Sequence, residues 1–196
     1  MAATAEQIKK LRELTGAGIL EAKRTLEEHN GDFDQALALL KERGMQTAAK
    51  KTERVAKQGV IETYVHAGGK MGVMLELNCE TDFVARVQEF QELAHNLALQ
   101  IAALKPLYVS PADIPAEVLA EQKRLFAEAA QGKPANLVEK IVAGKLESYY
   151  KDHCLLRQPF VRDDKTTVND LINATITKVG ENIVVRRFTR FELGEG

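Results

Sequence analysis

The chain has 196 residues, with 27 lysines and arginines against 28 aspartates and glutamates, so no global field draws it toward nucleic acid or anionic lipid. That length holds one domain with a sizeable core plus a small module. Its two cysteines form no disulfide framework, and no apolar run approaches a membrane span, so a protein of the reducing cytoplasm is expected, without membrane or direct nucleic-acid partners.

From the start of the chain, Met1 to Gln7 offers neither a basic opening nor an apolar secretory core, so no leader is expected. Thr4 and Gln7 have capping-box spacing, and Ile8, Leu11 and Leu14 then line one side of a first helix that Thr15-Gly16-Ala17-Gly18 breaks. A second helix carries Ile19, Ala22 and Leu26 to Asn30-Gly31. Asp32 with Gln35 opens a third, holding Ala36, Leu37 and Leu40 until Gly44. Residues 1–44 thus read as a three-helix bundle.

Residues 45–58 follow as a linker in which Lys50, Lys51, Arg54 and Lys57 outnumber Glu53, on alanines that favour helix. No aromatics interleave with these bases, so a solvated linker helix is preferred over an RNA-binding arm. Residues 59–196 read as an α+β body. Gly59 to His66 is a strand with Ile61, Thr63 and Val65 on one face, and His66-Ala67-Gly68-Gly69-Lys70 turns into a second, antiparallel strand. There Met71, Val73, Leu75, Leu77 and Cys79 recur at every second position, the period of a half-buried strand.

Thr81 and Asp82 can each cap the helix that follows, whose apolar side is Val87, Phe90, Ala94, Leu97, Ile101 and Leu104. Phe83 falls at the mouth of that helix, where the core does not require it. Spacing alone favours a staple folded back on the first turn over a ring that projects as a wedge. Pro106, Pro111 and Pro115 punctuate a loop, Pro115 and Pro134 open two more helices, and Gln158-Pro159-Phe160-Val161 returns the chain in extended form. Thr167 with Asp170 caps a last helix ending at Gly180. A third strand, Asn182 to Leu193, puts Ile183, Val185, Phe191 and Leu193 on one face, and mixes Val184 and Phe188 with Arg186, Arg190 and Glu192 on the other. Such a mixed face suggests cover by another chain. The expected fold is a three-helix module followed by a three-stranded antiparallel sheet with helices on one side.

Catalytic chemistry is scarce. No phosphate-cradling glycine loop follows a strand, and the four histidines never fall at metal-ligand spacing, so neither a cofactor nor a metal is expected. Asp163-Asp164 reads as a solvated turn, and Cys79 and His66 fall on opposite strand faces, which argues against a nucleophile–base pair. The chain does not read as an enzyme.

Lys9-Lys10-Leu11-Arg12-Glu13-Leu14-Thr15-Gly16-Ala17-Gly18 and Asn78-Cys79-Glu80-Thr81-Asp82-Phe83-Val84 resemble the two signatures of the translation elongation factor Ts family. Ala48-Ala49-Lys50-Lys51, Gly132-Lys133-Pro134, Gln158-Pro159-Phe160-Val161 and Lys178-Val179-Gly180-Glu181-Asn182-Ile183 extend the likeness almost end to end. The resemblance implies a guanine nucleotide exchange factor that binds elongation factor Tu, GDP-bound and nucleotide-free, disturbs its magnesium and phosphate site and releases GDP. It also implies a head like a ubiquitin-associated domain.

Residue by residue, the resemblance makes Thr81, Asp82, Phe83 and Val84 an exchange wedge, with Asp82 and Phe83 at its tip, and so reverses the staple reading. Val179 and Gly180 would approach the partner's phosphate loop, His66 would touch another partner domain, and Arg12, Ile19 and Leu20 would dock the head. Long family members carry two copies of the α+β core and this chain carries one, so a homodimer through the mixed face of Asn182 to Leu193 is expected, non-covalent because Thr189 offers no sulfur. The alternative is a non-enzymatic adaptor that binds a partner helix or peptide through the N-terminal module alone.

Overall fold

The computed structural model describes residues 3–195, so Met1 and Ala2, the first residues of the stretch read for a leader, lie outside it. The head consists of α1 (Ala5–Thr15), α2 (Ile19–Glu28) and α3 (Phe33–Ala49). Thr4 and Gln7 form the capping box, Asp32 accepts from the Gln35 amide at 3.0 Å, and Gly16 closes α1 in the left-handed conformation. Leu11, Ala22, Leu26, Ala36 and Leu40 make its core.

The third helix does not stop at Gly44. It runs on to Ala49, and Ala48 joins the core of the body. A Cβ on Gly44 would lie 3.6 Å from the Thr177 hydroxyl, an ordinary contact, so this glycine sits where α3 packs on α8 and is not a helix end. Residues 50–57 are turn and coil, so no separate linker helix forms. Two of the basic groups there are held by the body: Lys51 Nζ donates to the Ile176 carbonyl at 3.4 Å, and exposed Arg54 lies 3.6 Å from Glu80.

The body is built on β1 (Gln58–Val65), β2 (Met71–Cys79) and β5 (Ile183–Glu192), antiparallel in the order β1-β2-β5. Val73, Leu75, Leu77 and Cys79 of β2 face inward as their period requires. They meet Phe90, Leu93, Leu97 and Ile101 of α5 (Gln88–Leu104) and Ile172 and Ile176 of α8 (Val168–Val179). In β1 the core side is Val60 and Tyr64; Ile61, Thr63 and Val65 face solvent.

The helix after β2 is broken. A single turn, α4 (Asp82–Ala85), precedes α5, and Val87 between them is extended. The carbonyl of Ala85 that this break frees accepts from the Gln91 side chain.

Two corrections concern β5 and the segment before α8. A bulge opposite Glu76 and Leu77 inserts Arg186 and inverts the alternation beyond it. Phe188, Arg190 and Glu192 therefore face inward, and Arg187, Thr189 and Phe191 face out. Buried Arg190 is ion-paired to Glu192 and Glu195, while Lys105 reaches the same two carboxylates at 2.8 and 2.7 Å. These cations, Lys105 foremost, hold the Glu192 carboxyl down at about 2. In addition, β3 (Pro159–Phe160) and β4 (Asp163–Thr167) form a second, two-stranded sheet. Asp163 is part of it, accepting from the Thr166 hydroxyl at 2.7 Å, which lowers its pKa.

The Gln158-Pro159-Phe160-Val161 motif gains a structural reason. Gln100 and Gln158 are both buried, Gln100 Nε2 donates to Gln158 Oε1 at 3.1 Å, and Gln100 Oε1 accepts from the Val161 amide at 2.8 Å. Two side-chain amides thus satisfy the backbone where this segment crosses α5. Finally, α6 (Ala116–Glu128) and α7 (Ala135–His153) pack mainly on each other as a helical hairpin, and α6 has no buried residue.

Candidate functional site

Thr81 ends the chain's exit from β2 in extended conformation and caps α4, its hydroxyl accepting from the Val84 amide at 3.4 Å. Only one turn follows, so the ring of Phe83 has no preceding turn to fold onto and stands 80% exposed. The staple is absent. Val84 and Ala85, by contrast, are buried in the body core and anchor the turn from below. Asp82 is exposed beside Phe83 and pairs with Arg86 at 2.9 Å, an i,i+4 surface pair that contributes little energy but holds the carboxylate on the same face.

Behind the turn, the buried Cys79 thiol donates to the Thr81 carbonyl at 3.1 Å. Burial, followed by the charge of Glu181, pushes this thiol up to about 11, so it is a core group and not a nucleophile.

The second contact motif begins where α8 ends. Gly180 takes the left-handed cap at φ 81°, and a Cβ there would meet no atom within 4 Å. The backbone at Gly180 is therefore open to close approach, with Val179 partly buried beside it. Glu181 and Asn182, whose individual roles the sequence reading did not foresee, join this motif to the first. Glu181 accepts from the Glu80 amide at 3.1 Å, the Thr81 amide at 3.0 Å and the Thr81 hydroxyl at 2.7 Å. In return Glu80 accepts from the Asn182 amide at 2.7 Å, and Asn182 Nδ2 donates to the Arg54 carbonyl at 2.9 Å. Their presence in the Lys178-to-Ile183 stretch was the available signal.

In the head, Ile19 is 57% and Leu20 82% exposed, on the first turn of α2, and Arg12 is exposed on α1. Ile19 does not join the head core. A cleft lined by Arg12, Gly16, Gly18, Glu89 and Lys178 connects this surface to the start of α5 and the end of α8. The cleft thus sets the head beside the start of α5, which follows the Phe83 turn, and the end of α8, which Gly180 caps.

His66 does not join them. It follows β1 at the opposite end of the hairpin, about 25 Å of strand away by the usual rise per residue. Its Nδ1 is 2.9 Å from the Tyr64 hydroxyl. Among the described residues, no group of three histidine, cysteine, aspartate or glutamate side chains could hold a metal, and no helix is long and apolar enough to cross a membrane.

Comparison with known proteins identifies the family. The family model described as Elongation factor TS matches residues 2–195. The Elongation factor Ts of Thermotoga maritima is 56% identical over 189 residues, which is 96% of this chain and 95% of that protein. Those of Moorella thermoacetica and Caldanaerobacter subterraneus are 52% and 50% identical, over 98% of this chain and 96% and 98% of their own lengths. Matched by the family model over residues 2–195 and by relatives of corresponding length, the chain belongs to the elongation factor Ts family of translation elongation factors.

Proposed function

We propose that this chain is a guanine nucleotide exchange factor that acts on elongation factor Tu in the cytoplasm. The observation that carries the reading is Phe83, a large ring held in solvent on a turn whose other apolar residues are buried. Phe83 enters the partner's GTPase domain beside its magnesium site, Asp82 contacts the polar groups this uncovers, and the open backbone at Gly180 comes close to the phosphate loop. The ubiquitin-associated-like head docks through Arg12, Ile19 and Leu20, and His66 reaches a separate partner domain.

No bond chemistry is needed. If the factor binds the nucleotide-free partner more tightly than the GDP-bound one, GDP binds the complex more weakly by the same free energy. A ten-thousandfold weakening takes ~5.5 kcal/mol, whereas burying one phenylalanine returns about 1.5–3 kcal/mol. Phe83 therefore supplies up to half of the coupling, and lost magnesium coordination and the Gly180 contact supply the rest. Incoming GTP reverses the cycle.

The open face of the three-stranded sheet is the proposed dimer interface. Across it run the rows Ile61–Glu76–Arg187, Thr63–Met74–Thr189 and Val65–Gly72–Phe191. Met74 is 51% and Phe191 72% exposed there, and Arg187 pairs with Glu76 at 2.7 Å. A twofold pairing covers this face and gives the single-core chain the second core that long family members carry.

The test is reciprocity. The ratio of the factor's affinities for nucleotide-free and GDP-bound elongation factor Tu should equal the ratio of GDP affinities without and with the factor. Equal affinity for the two partner states would end the exchange reading, and tight binding by residues 1–44 alone would favour an adaptor.

A further inference from the structure

Two loops distant in sequence carry the proposed contacts, the Thr81-to-Phe83 turn after β2, whose expected fourth member Val84 is buried in the core instead, and Val179 to Gly180 after α8. A wedge works only if its recoil is small: a ring on a yielding loop would bend away rather than displace packed side chains. The fold alone does not stiffen these loops against each other, because both lie outside the β2–β5 ladder, which ends at the Cys79–Ile183 pair.

The polar contacts beyond that pair close the gap. Glu181 takes three hydrogen bonds from the opposite loop: the Glu80 and Thr81 amides on Oε2 and the Thr81 hydroxyl on Oε1. Glu80 takes the Asn182 amide at 2.7 Å in the reverse direction. The two carboxylates are thus exchanged between the loops, and the Thr81 hydroxyl that donates to Glu181 also caps the turn bearing Phe83. Asn182 Nδ2 extends the lattice to the carbonyls of Arg54 and Thr52.

We propose that Glu181 is a positioning residue which, with Glu80, locks the Phe83 turn and the Gly180 turn into one rigid jaw, so that force on the ring is carried by α8 and the sheet. The inference rests on the exchange reading. Glu181 acts through Thr81 and has no need to touch the partner. Charge is not the essential property. A glutamine can accept both amides on its oxygen while its Nε2 donates to the Thr81 hydroxyl oxygen, so Glu181→Gln keeps all three contacts, and Glu181→Ala removes them. Thr81 is exposed, so water can take up the freed donors and the fold survives.

The experiment pairs amide hydrogen exchange of the free protein with GDP release from elongation factor Tu. In Glu181→Ala the Glu80 and Thr81 amides should exchange at least about tenfold faster while Val73 to Leu77 keep parental protection. The saturated rate of GDP release should fall about tenfold or more, Glu181→Gln should stay within about threefold of the parent, and Phe83→Ala with Glu181→Ala should be no slower than Phe83→Ala alone. Unchanged exchange at Thr81 would overturn the jaw. So would lost protection with an unchanged release rate, a glutamine variant as slow as alanine, or additive losses in the double variant. A parent chain that releases no GDP would instead refute the exchange reading, with the amide data still deciding whether the loops are locked.

Discussion

An exposed phenylalanine contributes nothing to its own fold, and the residues around Phe83 explain how the chain holds one in place. Val84 and Ala85 are committed to the core, Thr81 is committed to the cap, and Val87 breaks the helix before a second turn can offer the ring a resting surface. The cysteines give an independent check of the packing behind the site. Burial raises both Cys79 and Cys154 from a thiol's ordinary value to about 11. Between pH 9 and 11 the unfolded chain gives up protons that the folded chain keeps, so this contribution is complete below pH 9 and is lost as pH rises through that window. Urea titrations at pH 8 and 10 should show parent stability dropping more than that of a Cys79→Ala, Cys154→Ala variant. An equal drop in both proteins would mean the thiols are less buried than the structure places them.

Among the elements, those with strong local signals were legible in the sequence. The caps at Thr4, Asp32 and Thr167 start helices where their spacing predicts, and the alternation of β2 fixes its inner face. The end of α3 was misread because a glycine in a helical stretch either stops the helix or is carried through it, and only the packing of α3 on α8 separates the two. The faces of β5 were misread because a bulge leaves no mark in composition: Arg186 resembles its neighbours, yet it transfers Phe188 and Arg190 to the inside. The exposed tip at Phe83 came from family resemblance, since spacing alone favoured a staple. The Glu80–Glu181 exchange could not be read from either segment alone because its partners are a hundred residues apart. The outer face of β5 carries a prediction of its own. Phe191→Asp places a charge within the proposed dimer contact, on its β5 edge, and sedimentation should shift from dimer to monomer while the thermal midpoint moves by less than about 3 °C, because the side chain is 72% exposed. A parent chain that sediments as a monomer would remove this interface.

At the scale of the whole molecule, the head is not a loosely tethered module. Lys41 of α3 reaches Asp170 of α8 at 3.3 Å, and α1 and α3 both pack on α8. The tightest point is Gly16, left-handed at φ 72°, where a Cβ would lie 2.1 Å from the Ala174 carbonyl oxygen. Gly16→Ala therefore meets both backbone strain and a clash, and should cost about 2–4 kcal/mol in chemical denaturation, with amides at the α1–α8 contact losing protection before those of the sheet. A loss below about 0.5 kcal/mol would show that head and body are not pressed together there. Because α8 also ends in Gly180, the head surface, the cleft at Arg12 and Lys178 and the Phe83 turn share one rigid support. On the proposed reading, that common support lets the separate contacts act on elongation factor Tu as a single unit.

The measurement that reaches furthest is release of a fluorescent GDP analogue from elongation factor Tu, driven by the parent chain and by Phe83→Ala. The ring is 80% exposed, so the variant should melt within a few degrees of the parent, and its release rate should fall about ten- to a hundredfold, the loss expected for about 1.4–2.8 kcal/mol of differential binding. A variant that releases GDP as fast as the parent would contradict the wedge.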